Sequence, residues 1–197
     1  ALTVLADAAA LVRARFAPDL RLEAIPDNDP ATAAILSTGE TVGVFQCEST
    51  GAQRTLRQLK AGNQRDLAVA NAFFKPGPAT GGMAAAFVRR YRGEEAVRFL
   101  HPSLQPILGD TQGVLLFQEQ ILRLATEIAG LSWEEAEHLR RGMSKFRADE
   151  MERIRERFVQ GCQRAGGPGL SSQQARTLWE QVQPFAGYGF NQGHATA

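Results

Sequence analysis

The sequence predicts a mainly α protein, a multi-helix array of small helical subdomains with a few short strands. Three observations carry that expectation. Apolar residues recur at helical spacing along most of the 197 residues. Helix start and stop signals, cap residues ahead and glycines behind, are legible at nearly every candidate element. Prolines and glycines gather into breaks such as Lys75-Pro76-Gly77-Pro78 and Gly166-Gly167-Pro168-Gly169, which cut the array into two or three subdomains with hinges near residues 75–82, 93–101 and 165–171.

The chain opens in an amphipathic helix with Leu2, Leu5, Ala9, Val12 and Phe16 as its stripe. Asp29 before Pro30 starts a short helix over 30–37, and Gly39 stops it. Residues 41–45 read as a short extended segment. Ser49 begins a helix with Leu56 and Leu59 on one face, ending near Gly62, and Asn63 caps the next over 64–74. The Lys75-Pro-Gly-Pro turn breaks that helix, since proline lacks a donor and pushes its predecessor out of the helical region. A helix over 82–92 stops at Gly93, and His101-Pro102 opens a short one reaching Leu108. Residues 112–117 form the second extended run, leading into a helix over 118–129. Ser132-Trp133-Glu134-Glu135 is a capping box for a helix with Ala136, Leu139 and Met143 as its apolar stripe. Helices over 148–164 and 172–185 follow, and another is ready to begin after His194.

Composition narrows the function classes. Hydrophobic residues at 44% and charged ones at 22% are those of a globular protein, and no apolar run reaches the length of a membrane span. Cys47 and Cys162 stand alone, as reduced thiols do, and no basic-then-apolar leader is present, so the expected location is cytoplasmic. A net charge of +1 excludes a polybasic sheath for nucleic acid, so any anion site is local. The chain starts without Met and stops where regular structure resumes, as a piece of a longer polypeptide does.

Four stretches carry candidate chemistry. Arg140, Arg141 and Lys145 crowd the end of the capped helix, where they either grip phosphates or balance Glu134, Glu135 and Glu137 along the helix dipole. Lys75 sits on a stiff corner that either presents it to an anion or leaves it solvated. Gln118-Glu119-Gln120, where an extended run meets a helix, either faces a polar ligand or is ordinary first-turn polarity. Residues 185–194 mix Phe185, Tyr188, Phe190, Asn191 and His194 with glycines at 187, 189 and 193. Such glycines take positive φ or admit a flat ligand, although the segment also reads as a junction between two helices. His101, His138 and His194 lack metal-like spacing, and Asp27 and Asp29, bracketed by Pro26 and Pro30, read as turn and cap residues.

In order along the chain, Ala1 to Leu5, Gly43-Val44-Phe45-Gln46-Cys47-Glu48-Ser49, Lys75-Pro76-Gly77-Pro78 with Gly82-Met83, Gly113 to Gln120, Leu139-Arg140-Arg141-Gly142-Met143-Ser144-Lys145 and Phe185 to Asn191 with His194 resemble the catalytic alpha subunit of the bacterial C-family DNA polymerases. The resemblance covers essentially the whole chain and implies a fingers domain, the helical region that follows the palm. It implies that Arg140, Arg141 and Lys145 bind the triphosphate of the incoming dNTP, with Lys75 standing where the family usually has arginine. Tyr188, Asn191 and His194 would line the pocket for base and sugar. It further implies Mg²⁺ held by palm aspartates upstream of residue 1, so that the isolated chain is inactive. Primer-template DNA, the other domains of the parent subunit and, through regions outside this chain, replisome subunits such as the sliding clamp are the implied partners, with no membrane. Gln192-Gly193 departs from the commoner Lys-Ser, which leaves open a divergent or mutagenic branch, or a helical interaction module that has lost strong nucleotide binding.

Overall fold

Capping residues set most of the helix starts. In the computed structural model, which describes residues 2–26, 28–73, 83–141, 148–185 and 189–196, eleven α-helices form among the described residues. They are α1 Leu2–Arg15, α2 Pro30–Thr38, α3 Thr50–Leu59, α4 Gln64–Phe73, α5 Met83–Tyr91, α6 Gln105–Leu108, α7 Gln118–Arg123, α8 Trp133–Arg141, α9 Ala148–Cys162, α10 Ser172–Val182 and α11 Gln192–Thr196. Asp29 accepts the Thr32 amide at 2.7 Å to open α2, and Gly39 closes it at φ 67°. Ser49 accepts Ala52 N to open α3. Reciprocal capping boxes start α8, from Ser132 and Glu135, and α10, from Ser171 and Gln174. Asn63 opens α4 by accepting the Asp66 amide, while the Asp66 carboxylate accepts Gly62 N and the Tyr91 hydroxyl. Burial, then that bond to Asp66, pushes Tyr91 up to about 12.

The expected strands are reduced to local turns and one bridge. Residues 41–45 fold as chained turns, with Val44 N donating to Thr41 O and Cys47 N to Val44 O. Val42 and Phe45 are exposed, so no alternating face exists to bury a strand there. Residues 114–117 are extended and buried, but among the described residues they pair only through a parallel bridge from Phe117 to Phe190. Of the α1 stripe only Ala9 is buried, and Leu2 and Phe16 are among the most exposed apolar side chains of the chain. Among the described residues, no helix is long and apolar enough to cross a membrane.

Two apolar clusters make up the core. One gathers α2 to α5 around Phe73, Phe87 and Leu56, with Phe87 stacked on Tyr91 at 5.6 Å. The other gathers α6 to α10 around Leu124, Leu139, Phe158 and Trp179. The run 114–117 is shared, Leu115 in the second cluster and Val114, Leu116 and Phe117 in the first; the alternation holds over 114–116 and ends where the amides of Leu116 and Phe117 both turn to Gln120.

The helix expected over 118–129 divides. After α7 the backbone widens into a π-turn, Leu124–Ile128, a form that puts one extra residue into a helix. Helix α9 packs closely against the end of this turn: a Cβ on Gly161 would sit 1.7 Å from the Ala129 carbonyl oxygen. Arg164 then donates to Ile128 O at 2.7 Å, satisfying a carbonyl at the end of the π-turn. Gly161→Ala should therefore force α9 off the π-turn and cost about 2–3 kcal/mol, which for a chain of this size lowers Tm by about 4–12 °C. Thermal melting followed by circular dichroism checks this, and a drop below about 1 °C would show that the close approach is not needed.

Candidate functional site

Three consecutive side chains at the start of α7 organise the region, each in a different direction. Gln120 is buried, and its Oε1 accepts the amides of Leu116 and Phe117 at 2.8 and 2.9 Å. Its Nε2 donates to Ile107 O and Thr111 Oγ1, so both ends of the amide are satisfied. Glu119 receives the Gln192 amide on both carboxylate oxygens at 3.1 and 2.9 Å, which places its negative charge at the start of α11. Gln118 N donates to Phe190 O at 2.9 Å, and its side-chain oxygen accepts from Arg140 at 3.0 Å.

Arg140 leaves α8 at the edge of its buried face, where it reaches Gln118 of α7, and Arg141 leaves on the solvent side. Ala136 and Leu139 are fully buried, whereas Glu137 lies three and four residues before the two arginines and meets both. Arg140 Nε donates to Glu137 Oε2 at 2.7 Å and its Nη2 to Oε1, a fork-to-fork pair. Arg141 reaches Glu137 Oε1 only through Nε, at 3.1 Å. The Arg140 side chain is 26% exposed and that of Arg141 62%. Arg140, then Arg141, holds the Glu137 carboxyl down at about 2 from its ordinary 4.5.

The terminal segment comes alongside through Gln118. A Cβ at Gly189 would lie 3.0 Å from Gln118 Cγ and 3.3 Å from its backbone nitrogen, so close approach of two backbones is what Gly189 provides. The expected positive φ is absent at Gly189 and Gly193, because the segment runs extended into a helix at those points. Asn191 accepts the His194 amide at 2.6 Å and thereby caps α11, and the His194 ring meets the Phe190 ring edge-on at 5.8 Å. Both residues are exposed. Gln118 thus links Arg140, through its side chain, to Phe190, the residue before Asn191, through its backbone.

Lys75, Lys145 and Tyr188, with the hinge near 75–82, Asp27 and Met143, lie outside the described residues. Sequence reasoning passed over Glu137 as a dipole charge; its i+3 and i+4 spacing to the arginines was the available signal. Nothing local marks Glu119 as the cap of a helix 73 residues away. Among the described residues, no three His, Cys, Asp or Glu side chains converge on a point, so they offer no seat for the Mg²⁺ that the resemblance implies.

Residues 1–166 match the family described as the bacterial DNA polymerase III alpha subunit finger domain. The chain belongs to that family. It is 38% identical over 196 residues to the DNA polymerase III subunit alpha of Halalkalibacterium halodurans, covering 100% of this chain and 17% of the relative. The Thermus aquaticus protein of the same name is 40% identical over 201 residues, covering 100% and 16%. An error-prone DNA polymerase of Symbiobacterium thermophilum is 42% identical over 181 residues, covering 91% and 16%. The finger-domain chain therefore spans 16–17% of the length of these relatives, and relatives of both names align at comparable identity.

The Glu137 pairing gives the finger domain an acid-sensitive element. A folded pKa depressed to about 2 means the stabilisation is fully present above the ordinary 4.5 and is lost as pH falls through that window. Urea midpoints of the wild type should fall more steeply than those of Glu137→Gln between about pH 5 and 2, and run parallel above it. The gap stays modest, since a carboxylate one-third exposed is screened by solvent. Parallel curves over the whole range would remove Glu137 from the stability of the domain.

Proposed function

We propose that this chain acts as the fingers of a bacterial DNA-directed DNA polymerase, binding the incoming dNTP over the template-primer during DNA synthesis. The observation that carries the reading is the unequal pair at the end of α8: Arg140 tied to Glu137 and Gln118, and Arg141 exposed with a single bond among the described residues. A guanidinium with free N–H groups beside a fixed one suits a polyphosphate, whose oxygens accept several donors at once. Lys145 and Lys75 would add charge to the same anion. Tyr188, Asn191 and His194 would receive base and sugar, an aromatic face serving all four bases because stacking tolerates sequence.

The chemistry asked of these residues is positioning and charge stabilisation. Attack of the primer 3′-hydroxyl on the α-phosphorus breaks the bond to pyrophosphate, on which negative charge grows in the transition state. Arg141 aimed at that charge stabilises the transition state more than the bound substrate, which is what raises rate. Mg²⁺, held by palm carboxylates elsewhere in the parent polypeptide, would supply the remaining charge.

Two measurements test the reading. In the full-length polymerase, Arg141→Ala should lower kcat/KM by on the order of 10²-fold, with Tm within about 2 °C of wild type because an exposed arginine contributes under about 1 kcal/mol. A loss within about threefold would leave helix-dipole balance as the role of Arg141 and favour a helical interaction module of a divergent, translesion-type polymerase. The 197-residue chain alone should not extend a labelled primer with Mg²⁺ and all four dNTPs; incorporation above a mock preparation would place the catalytic carboxylates within it.

A further inference from the structure

Glu137 does two different things to its two arginines. Its Oε2 takes Arg140 Nε, and its Oε1 is shared between Arg140 Nη2 and Arg141 Nε. Arg140 is held at three points, the third being Gln118 at 3.0 Å, so its planar fork is fixed relative to α7 as well as α8. Arg141 is held at one. If Arg141 leaves, Glu137 loses one of its three bonds and keeps its charge neutralised by the forked pair with Arg140. Departure of Arg141 therefore costs Glu137 one bond, whereas departure of Arg140 would cost it two and take the Arg140 bond from the Gln118 oxygen as well.

Resting on the triphosphate reading above, we propose that Glu137 is the positioning residue of the anion site: it fixes Arg140 as a strut and holds Arg141 by one bond that an arriving polyphosphate displaces. Glu137 is then a competitor as well as a support. With its carboxylate the three side chains carry a net +1, and with a neutral amide there they carry +2. Glu119, the other acid near Arg140, is already engaged by the Gln192 amide and does not replace it. The result is an anion site kept below its full attraction for phosphate, which a substrate must overcome and a product can leave.

The test is a titration of inorganic tripolyphosphate into the 197-residue chain at low salt, by calorimetry, with wild type, Arg141→Gln and Glu137→Gln. Arg141→Gln should weaken binding by about fivefold or more, and Glu137→Gln should tighten it by about three- to fivefold, the range of one exposed ion pair. A merely structural glutamate would give unchanged or weaker binding on removal, and that result overturns the role of Glu137 while the dependence on Arg141 stands. Wild-type binding that is absent, or indifferent to Arg141→Gln, overturns the triphosphate reading and this inference with it. A second readout needs no variant at position 137. In wild-type NMR spectra the Arg141 Nε–Hε signal, assigned by its loss in Arg141→Gln, should shift with tripolyphosphate while that of Arg140 stays in place. Equal shifts of both signals would show that Arg140 is no strut.

Discussion

The buried amide of Gln120 is the tie on which the other contacts depend. Two amides and two oxygens of the protein meet it, and a buried amide left without its partner costs about 1–3 kcal/mol. What it fixes is the run 114–117, which sends Leu115 into one apolar cluster and Val114, Leu116 and Phe117 into the other and so joins them. Phe117 in turn carries the bridge to Phe190, which brings in the terminal segment. Core, helix start and terminal segment are thus set by one side chain that is neither charged nor exposed.

The placement of the two arginines on α8 follows from what the helix buries. Ala136 and Leu139, three residues apart, fix the rotation of the helix against α7, which leaves Arg140 at the edge of that contact, bonded to Gln118, and turns Arg141 out to solvent. The π-turn contributes at a distance, since the Gly161 contact and the Arg164 bond set where α9 can lie. A rigid helix is a better carrier for a guanidinium than a loop, because the placement of the charge then costs little at the moment of binding.

Local chemistry was legible in the sequence and distant pairing was not. Asp29, Ser49, Asn63 and Ser132 announced helix starts because a cap acts within three residues, and Gly39 announced a stop for the same reason. Residues 41–45 misled because β-branched and aromatic residues suggest a strand, yet a strand needs a partner and a buried face, and neither is local information. The π-turn was hidden because the contacts at its end, Gly161 and Arg164, come from another part of the chain. Within the candidate site, the arginines drew notice by charge and their family resemblance, while the three directions taken by Gln118, Glu119 and Gln120 could be read only from the folded chain. Glycines 189 and 193 were rightly noticed and wrongly explained: at Gly189 it is space, not φ, that excludes a side chain.

The Glu119 cap has a consequence for the order in which the region assembles. Glu137 finds its arginines within one turn of α8, an event of nascent-helix timescales, whereas Glu119 and Gln118 must wait for partners more than 70 residues later in the chain. During synthesis on the ribosome, the basic half of the region is therefore complete before the aromatic half exists. In that interval Glu137 keeps the net charge of the three side chains at +1 rather than +2, which lessens their pull on the abundant nucleic acid around them.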